Sequence, residues 1–97
     1  FILVPIISPF KTLRFTAKEI IGKSFIEVYV KSNLKTVINR DVKGLYTKAL
    51  KGEIDNFIGI DPSVPYEPPE NPDIILDTER ETVEESVQKM YNYFGID

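Results

Sequence analysis

Phe1-Ile-Leu-Val-Pro-Ile-Ile7 and, after a helical interval, Phe25-Ile-Glu-Val-Tyr-Val30 are the stretches whose reading decides the fold. The first is apolar at every position, the pattern of a strand buried on both faces in a parallel sheet. Pro5 counts against a central place, because it has no N–H for the ladder. Between the two runs, Phe10, Leu13, Ala17, Ile20 and Ile21 recur at helical spacing, with Lys11, Arg14, Lys18 and Glu19 on the other face. Gly22 ends that helix. After the second run, Ser32 or Asn33 can cap a further helix carrying Leu34, Val37 and Ile38. Strand, helix, strand, helix predicts an α/β layer fold with a parallel sheet.

Downstream the pattern changes. Arg40-Asp-Val-Lys-Gly44 breaks the helix, Leu45–Lys51 is a short helix, and Gly52 stops it. Five of the seven prolines, at 62, 65, 68, 69 and 72, make a stiff extended loop. Ile74-Ile-Leu76 is a third short strand. Thr82-Val-Glu-Glu85 is a capping box opening a last helix that should bury Val83, Val87, Met90, Tyr91 and Phe94 before Gly95.

Composition narrows the chemistry. The 97 residues contain no cysteine and no histidine, which excludes a disulfide scaffold, a zinc site of the usual ligands, a thiol nucleophile and a Ser-His-Asp triad. No apolar run approaches the ~18 residues of a membrane span. The net charge of −3 hides an asymmetry: residues 1–51 hold ten Lys/Arg against three acids, and residues 52–97 hold two against twelve. The first half suits an anionic ligand, while the overall acidity argues against a general nucleic-acid binder.

Open α/β sheets bind ligands beyond the carboxyl ends of their strands. Ser8 stands at one such end, ahead of a helix whose N–H groups can hold an anion, or else it serves as the helix cap. Arg40, Lys43, Lys48 and Lys51, opposed only by Asp41, read either as a phosphate-clamping lid or as a solvated face. Phe57, between Asn56 and Gly59, can stack on a base or plug the core. Neither GxxxxGK[ST] nor GxGxxG occurs in the chain.

Three motifs in register go further: Arg40-Asp-Val-Lys-Gly-Leu-Tyr-Thr-Lys-Ala49, Gly52-Glu-Ile-Asp-Asn-Phe-Ile-Gly-Ile-Asp61 and Tyr66-Glu-Pro-Pro-Glu-Asn-Pro72. Together with Ile7-Ser-Pro-Phe10 and Thr82-Val-Glu-Glu85 they resemble the adenylyl-sulfate kinase (APS kinase) family over essentially the whole chain. The resemblance implies phosphoryl transfer from ATP, with Mg²⁺, to the 3′-hydroxyl of adenosine 5′-phosphosulfate, giving PAPS and ADP in the cytoplasm. It implies a P-loop kinase type parallel sheet with flanking helices and a lid at about 40–61, followed by the Pro-rich loop 62–72. By position it assigns Ile7, Ser8, Lys43, Asn56 and Phe57 to the adenosine-phosphosulfate site, and Arg40 and Thr78 to the ATP side. Ser8 matches the serine often labelled a phosphoserine intermediate, and Lys43 the lid lysine near the phosphates. In-line transfer between bound nucleotides needs positioning and charge neutralisation rather than a covalent stop. No nucleic acid or membrane is implied, and a homodimer or a fusion to an ATP sulfurylase domain is left open.

Asp55 stands where the family usually has lysine, Ile58 where it has threonine, and Val42 where proline is common. The family's P-loop, its acidic DGDN-type segment and its substrate-gripping arginines precede the strand that begins this chain. The expectation is therefore the C-terminal part of one kinase domain over residues 1–97, carrying only its later strands and helices. The strands at 1–7 and 25–30 would then flank a gap. Such a chain alone should neither bind ATP tightly nor turn over, and Mg²⁺ ligands would come mainly from elsewhere. The rival reading is a non-catalytic nucleotide-sensing domain of the same family, which Asp55 and Ile58 would suit.

Overall fold

A computed structural model of the chain describes residues 1–41 and 43–96; Val42, the variable position of the first lid motif, lies outside the described residues, as does Asp97. The elements in order are α1 (Lys11–Ile21), a 3-10 turn (Gly22–Ser24), β1 (Val28–Lys31), α2 (Leu34–Asn39), α3 (Leu45–Leu50), β2 (Ile74–Asp77) and α4 (Val83–Phe94). The two strands form a parallel pair with Val28 opposite Ile74 and Lys31 opposite Asp77. The long crossover that parallel pairing requires is supplied by α2, α3 and the Pro-rich loop. α4 packs on β2, while α1 is tied to the Pro-rich loop through Lys11 and Arg14.

Local chemistry explains the helix ends. Asn33 caps α2 by accepting from the Thr36 N–H at 2.8 Å. Thr82 and Glu85 form the reciprocal box at the start of α4, each side chain accepting from the other's amide at 3.1 Å. Gly95 ends α4 at φ 68°, a conformation closed to most side chains. α3 starts without a cap of its own, since its N-cap is Gly44. Asp41 fills the role, accepting from the Thr47 N–H at 3.2 Å.

Four expectations need correcting. Phe1–Ile7 is not a strand. It has no regular secondary structure and no ladder partner among the described residues, with Phe1 and Ile2 each 91% exposed. Apolar character favours burial but supplies no ladder, and among the described residues no strand lies beside it to take its N–H and C=O groups. Ser8 does not cap α1: the N-cap is Phe10, with no side-chain cap bond. The second strand spans Val28–Lys31 rather than Phe25–Val30, because the Glu27 N–H goes to the Asp73 carboxylate (2.7 Å) instead of the ladder. The apolar faces of the helices are not buried. Leu13, Ile20 and Ile21 of α1, and Val83, Val87 and Tyr91 of α4, are exposed, and Met90 and Phe94 only half-buried.

These exposures share a cause. Among the described residues, only Ala49 and Ile74 of the apolar side chains are buried. The accessible surface of 7687 Å² compares with about 5,700 Å² for a compact protein of this mass. The radius of gyration of 15.2 Å compares with about 12.5 Å for a compact domain of 97 residues. The excess is apolar face with nothing packed against it.

Candidate functional site

The carboxyl ends of the two strands are joined by a carboxylate clasp. Glu79, just past β2, accepts from the Ser32 hydroxyl, the Asn33 N–H and the Thr36 hydroxyl, each at 3.0 Å. These bonds, the Asn33 N–H foremost, hold the Glu79 carboxyl below its ordinary pKa. Beside it, both the N–H (3.0 Å) and the hydroxyl (2.7 Å) of Thr78 donate to the Lys31 carbonyl. Arg40 reaches the Thr78 carbonyl with one guanidinium nitrogen at 3.4 Å. The two residues assigned to the ATP side thus meet; an open cleft of about 310 Å³ at the same strand ends is lined by Tyr29, Lys31, Ser32, Asn33, Asp77, Glu79 and Arg80, and by neither of them. A larger groove, about 570 Å³, lies between β2 and α4 near Lys89 and Tyr93 and includes none of the assigned residues.

Ser8 and Asn56 have an unusual backbone. Among the described residues they are the two non-glycine positions with positive φ, at 41° and 55°. Left-handed serine is strained, by about 1 kcal/mol or more, and persists only where surrounding contacts over-determine it. Around Ser8 those contacts come from the Pro-rich loop: the Glu67 N–H donates to the Pro9 carbonyl (2.8 Å), and the Lys11 N–H to the Glu67 carboxylate (2.9 Å). Ser8 is half-buried, whereas its neighbour Ile7 remains 60% exposed.

Asn56 and Phe57 belong to a closed turn tied by Asp61. Its carboxylate accepts from the Asn56 N–H (3.0 Å), the Ser63 N–H (2.9 Å) and the Ser63 hydroxyl (2.7 Å). The Phe57 carbonyl in turn accepts from the N–H groups of Ile60 (3.1 Å) and Asp61 (2.8 Å). The Ser63 amide and hydroxyl hold the Asp61 carboxyl below its usual pKa against the smaller opposing pull of burial. Phe57, half-buried, meets Tyr46 of α3 edge-on with ring centroids 4.9 Å apart. The ring is therefore set against Tyr46 of α3 and is half-buried rather than buried in a core.

Lys43 projects from the turn before α3 as an exposed side chain. Next to it the Asp41 carboxyl is held down; burial would raise it, but the N–H groups of Thr47, Tyr46 and Leu45 outweigh that. Asp55 is exposed and Ile58 half-buried on either side of the Asn56–Phe57 pair. The described residues include no group of three or more carboxylates placed to hold a metal ion. Among the described residues, no helix is long and apolar enough to cross a membrane.

Asp61, Glu79 and Tyr46 were not singled out by the sequence, although Asp61 bonds Asn56, Tyr46 meets Phe57, and Glu79 ties Ser32, Asn33 and Thr36 to the end of β2. Asp61 had one usable signal, Asp61-Pro-Ser63, since an aspartate two residues before a serine readily closes an Asx turn. Glu79 had none, because its partners lie more than 40 positions away.

Residues 1–77 match the family model described as adenylylsulphate kinase. The chain is 59% identical over 91 residues to an adenylyl-sulfate kinase of Halothermothrix orenii, covering 94% of this chain and 48% of that one. It is 49% identical over 94 residues to a probable adenylyl-sulfate kinase of Aeropyrum pernix, covering 94% and 50%. The crystal structure of APE1195 superposes with a TM-score of 0.64 at 48% identity, over 88% of this chain and 46% of that one. The chain spans about half the length of the curated relatives it matches.

Proposed function

The chain belongs to the adenylylsulphate kinase family, and from that premise we propose that it supplies the lid and substrate-side half of a cytoplasmic enzyme that phosphorylates adenosine 5′-phosphosulfate. The 3′-hydroxyl oxygen of that nucleotide attacks the γ-phosphorus of ATP, the bond to the β–γ bridging oxygen breaks, and PAPS and ADP result. The observation that carries this reading is a positive φ at two non-glycine positions among the described residues, Ser8 and Asn56, of which Ser8 is the strained one. Those positions belong to two separate family motifs, both assigned to the phosphosulfate nucleotide, and stored strain clusters at working sites.

Each remaining residue has a task in this scheme. Phe57, carried on the lid by Tyr46, stacks on the substrate adenine. Exposed Lys43 offers a positive charge to oxygens that gain charge during transfer. Arg40 and Thr78, in contact at the strand ends, border the ATP side. Ile7 and Ser8 line the substrate. Mg²⁺, when bound with ATP, neutralises phosphate charge.

A phosphate cradle is the part this sequence lacks, with neither glycine-rich motif in it. The 97 residues alone are therefore expected to be inactive, and their apolar faces to pack on the polypeptide that carries the cradle. In the P-loop kinase arrangement a parallel strand from that polypeptide would lie between Phe1–Ile7 and β1.

A coupled assay for PAPS tests the reading in two arms: the chain alone, and the chain mixed with the portion of the Halothermothrix orenii relative that it does not match. Product only in the second arm is expected. Product from the chain alone would overturn the claim of inactivity. Nucleotide binding without product in the mixture would favour the sensing domain instead.

A further inference from the structure

The Ser8 turn is held by a single arginine. From α1, the Arg14 guanidinium donates through one terminal nitrogen to the Ser8 carbonyl (2.7 Å) and through the other to the Glu67 carbonyl. Its Nε pairs with the Glu27 carboxylate at 3.4 Å, and its face lies over the Tyr66 ring at 5.9 Å from the centroid. Tyr66 stacks in turn on Tyr29 of β1, centroids 6.4 Å apart. The Arg14 side chain is 12% exposed and that of Glu27 is 23% exposed, low values in a chain with so few buried groups. One planar cation thus joins the strained serine, the Pro-rich loop, the approach to β1 and an aromatic pair.

We propose that Arg14 is a positioning residue for the substrate-side turn. By fixing the Ser8 carbonyl from below, it keeps Ser8 left-handed and presents the turn's other face to the phosphosulfate nucleotide. The fork is needed for this. A guanidinium satisfies two carbonyls and a carboxylate in one plane, whereas an ammonium is a point charge that cannot span them. Without the fork, Ser8 relaxes to an ordinary extended conformation, while the bonds of Glu67 to Pro9 and Lys11 still tie the Pro-rich loop to the start of α1. The proposal rests on the functional reading above for its consequence in binding, but not for its consequence in conformation.

Two measurements test it on Arg14→Lys and Arg14→Met. In the 97-residue chain, NMR backbone couplings report φ at Ser8. They are expected to leave the positive-φ range in Arg14→Met and to shift partway in Arg14→Lys, while the amide shifts of α4 stay put. In the chain joined to the portion of the Halothermothrix orenii relative that it does not match, KM for adenosine 5′-phosphosulfate is expected to rise more than tenfold in Arg14→Met and severalfold in Arg14→Lys. KM for ATP should stay within twofold. Unchanged Ser8 couplings in Arg14→Met would overturn the proposal, and so would equal changes in both KM values, which mark a general loss of fold. Absence of turnover in the unaltered polypeptide would count against the functional reading alone, and the Ser8 couplings would still decide the role of Arg14.

Discussion

Ile74-Ile-Leu76 and Phe1–Ile7 are both apolar runs of strand-forming residues, yet only the shorter one is a strand. Ile74, paired opposite Val28 and covered by α4, is 4% exposed. Ile2, in the longer and more apolar run, is 91% exposed; the ring contact in its segment is Phe1 against Phe94, centroids 4.9 Å apart. The difference teaches that hydrophobicity selects residues for burial but a strand exists only where another edge takes its backbone groups. β2 has that edge in β1. The first run has none among the described residues, and Pro5 withdraws one of the donors it could offer.

Substitution breaks the comparison most sharply. Ile74→Ala should destabilise the chain by about 2–4 kcal/mol, the range for emptying a buried aliphatic site. Ile2→Ala should change it by under ~0.5 kcal/mol, as at exposed positions generally. Urea midpoints of the two variants check this, and equal shifts would show that the first run is packed after all. Next in size is the cover over β2: Thr82→Ala removes the capping box of α4 and should cost about 1 kcal/mol, read from the same midpoints.

The smallest effect is that of acid on the paired region. Glu79 and Asp61 have pKa values below their ordinary ones in the folded chain. Their contribution is therefore fully present above the unfolded values near pH 4 and is lost as pH falls through the lower folded values. Exchange at the Asn33 and Asn56 amides, which these carboxylates accept from, should stay slow at pH 5–7 after correction for intrinsic rate, then quicken in stronger acid. The amides of Phe1–Ile7 should show no such step, because no carboxylate holds them.

What was legible in the sequence divides by contact range. Asn33, the Thr82–Glu85 box and the Gly22 and Gly95 stops were readable because cap and partner lie within four residues of each other. The fate of Phe1–Ile7 was not, since pairing is a property of two segments. The start of β1 was missed for the same reason: Glu27 finds its partner in Asp73, 46 residues on. In the candidate site, the motif residues Ser8, Lys43, Asn56 and Phe57 could be named by resemblance. The groups that hold them could not. Arg14 looked like one more cation on the polar face of a helix, yet its partners include Glu67, 53 residues away. The alternative that Ser8 only caps α1 was reasonable from spacing and failed because the chain enters that helix through Phe10.

The exposed apolar run of residues 1–7 is proposed to pack against a second stretch of polypeptide, the one that carries the phosphate cradle in the proposed function. Hydrogen exchange at residues 1–7 tests it most directly, in the isolated chain and in the chain joined to the portion of a full-length relative that it does not match. Exchange near the unprotected rate in isolation, slowed at least ~100-fold on joining, is the expected result, since ladder amides open only with the surrounding structure. Slow exchange in the isolated chain, or fast exchange in both, would contradict it.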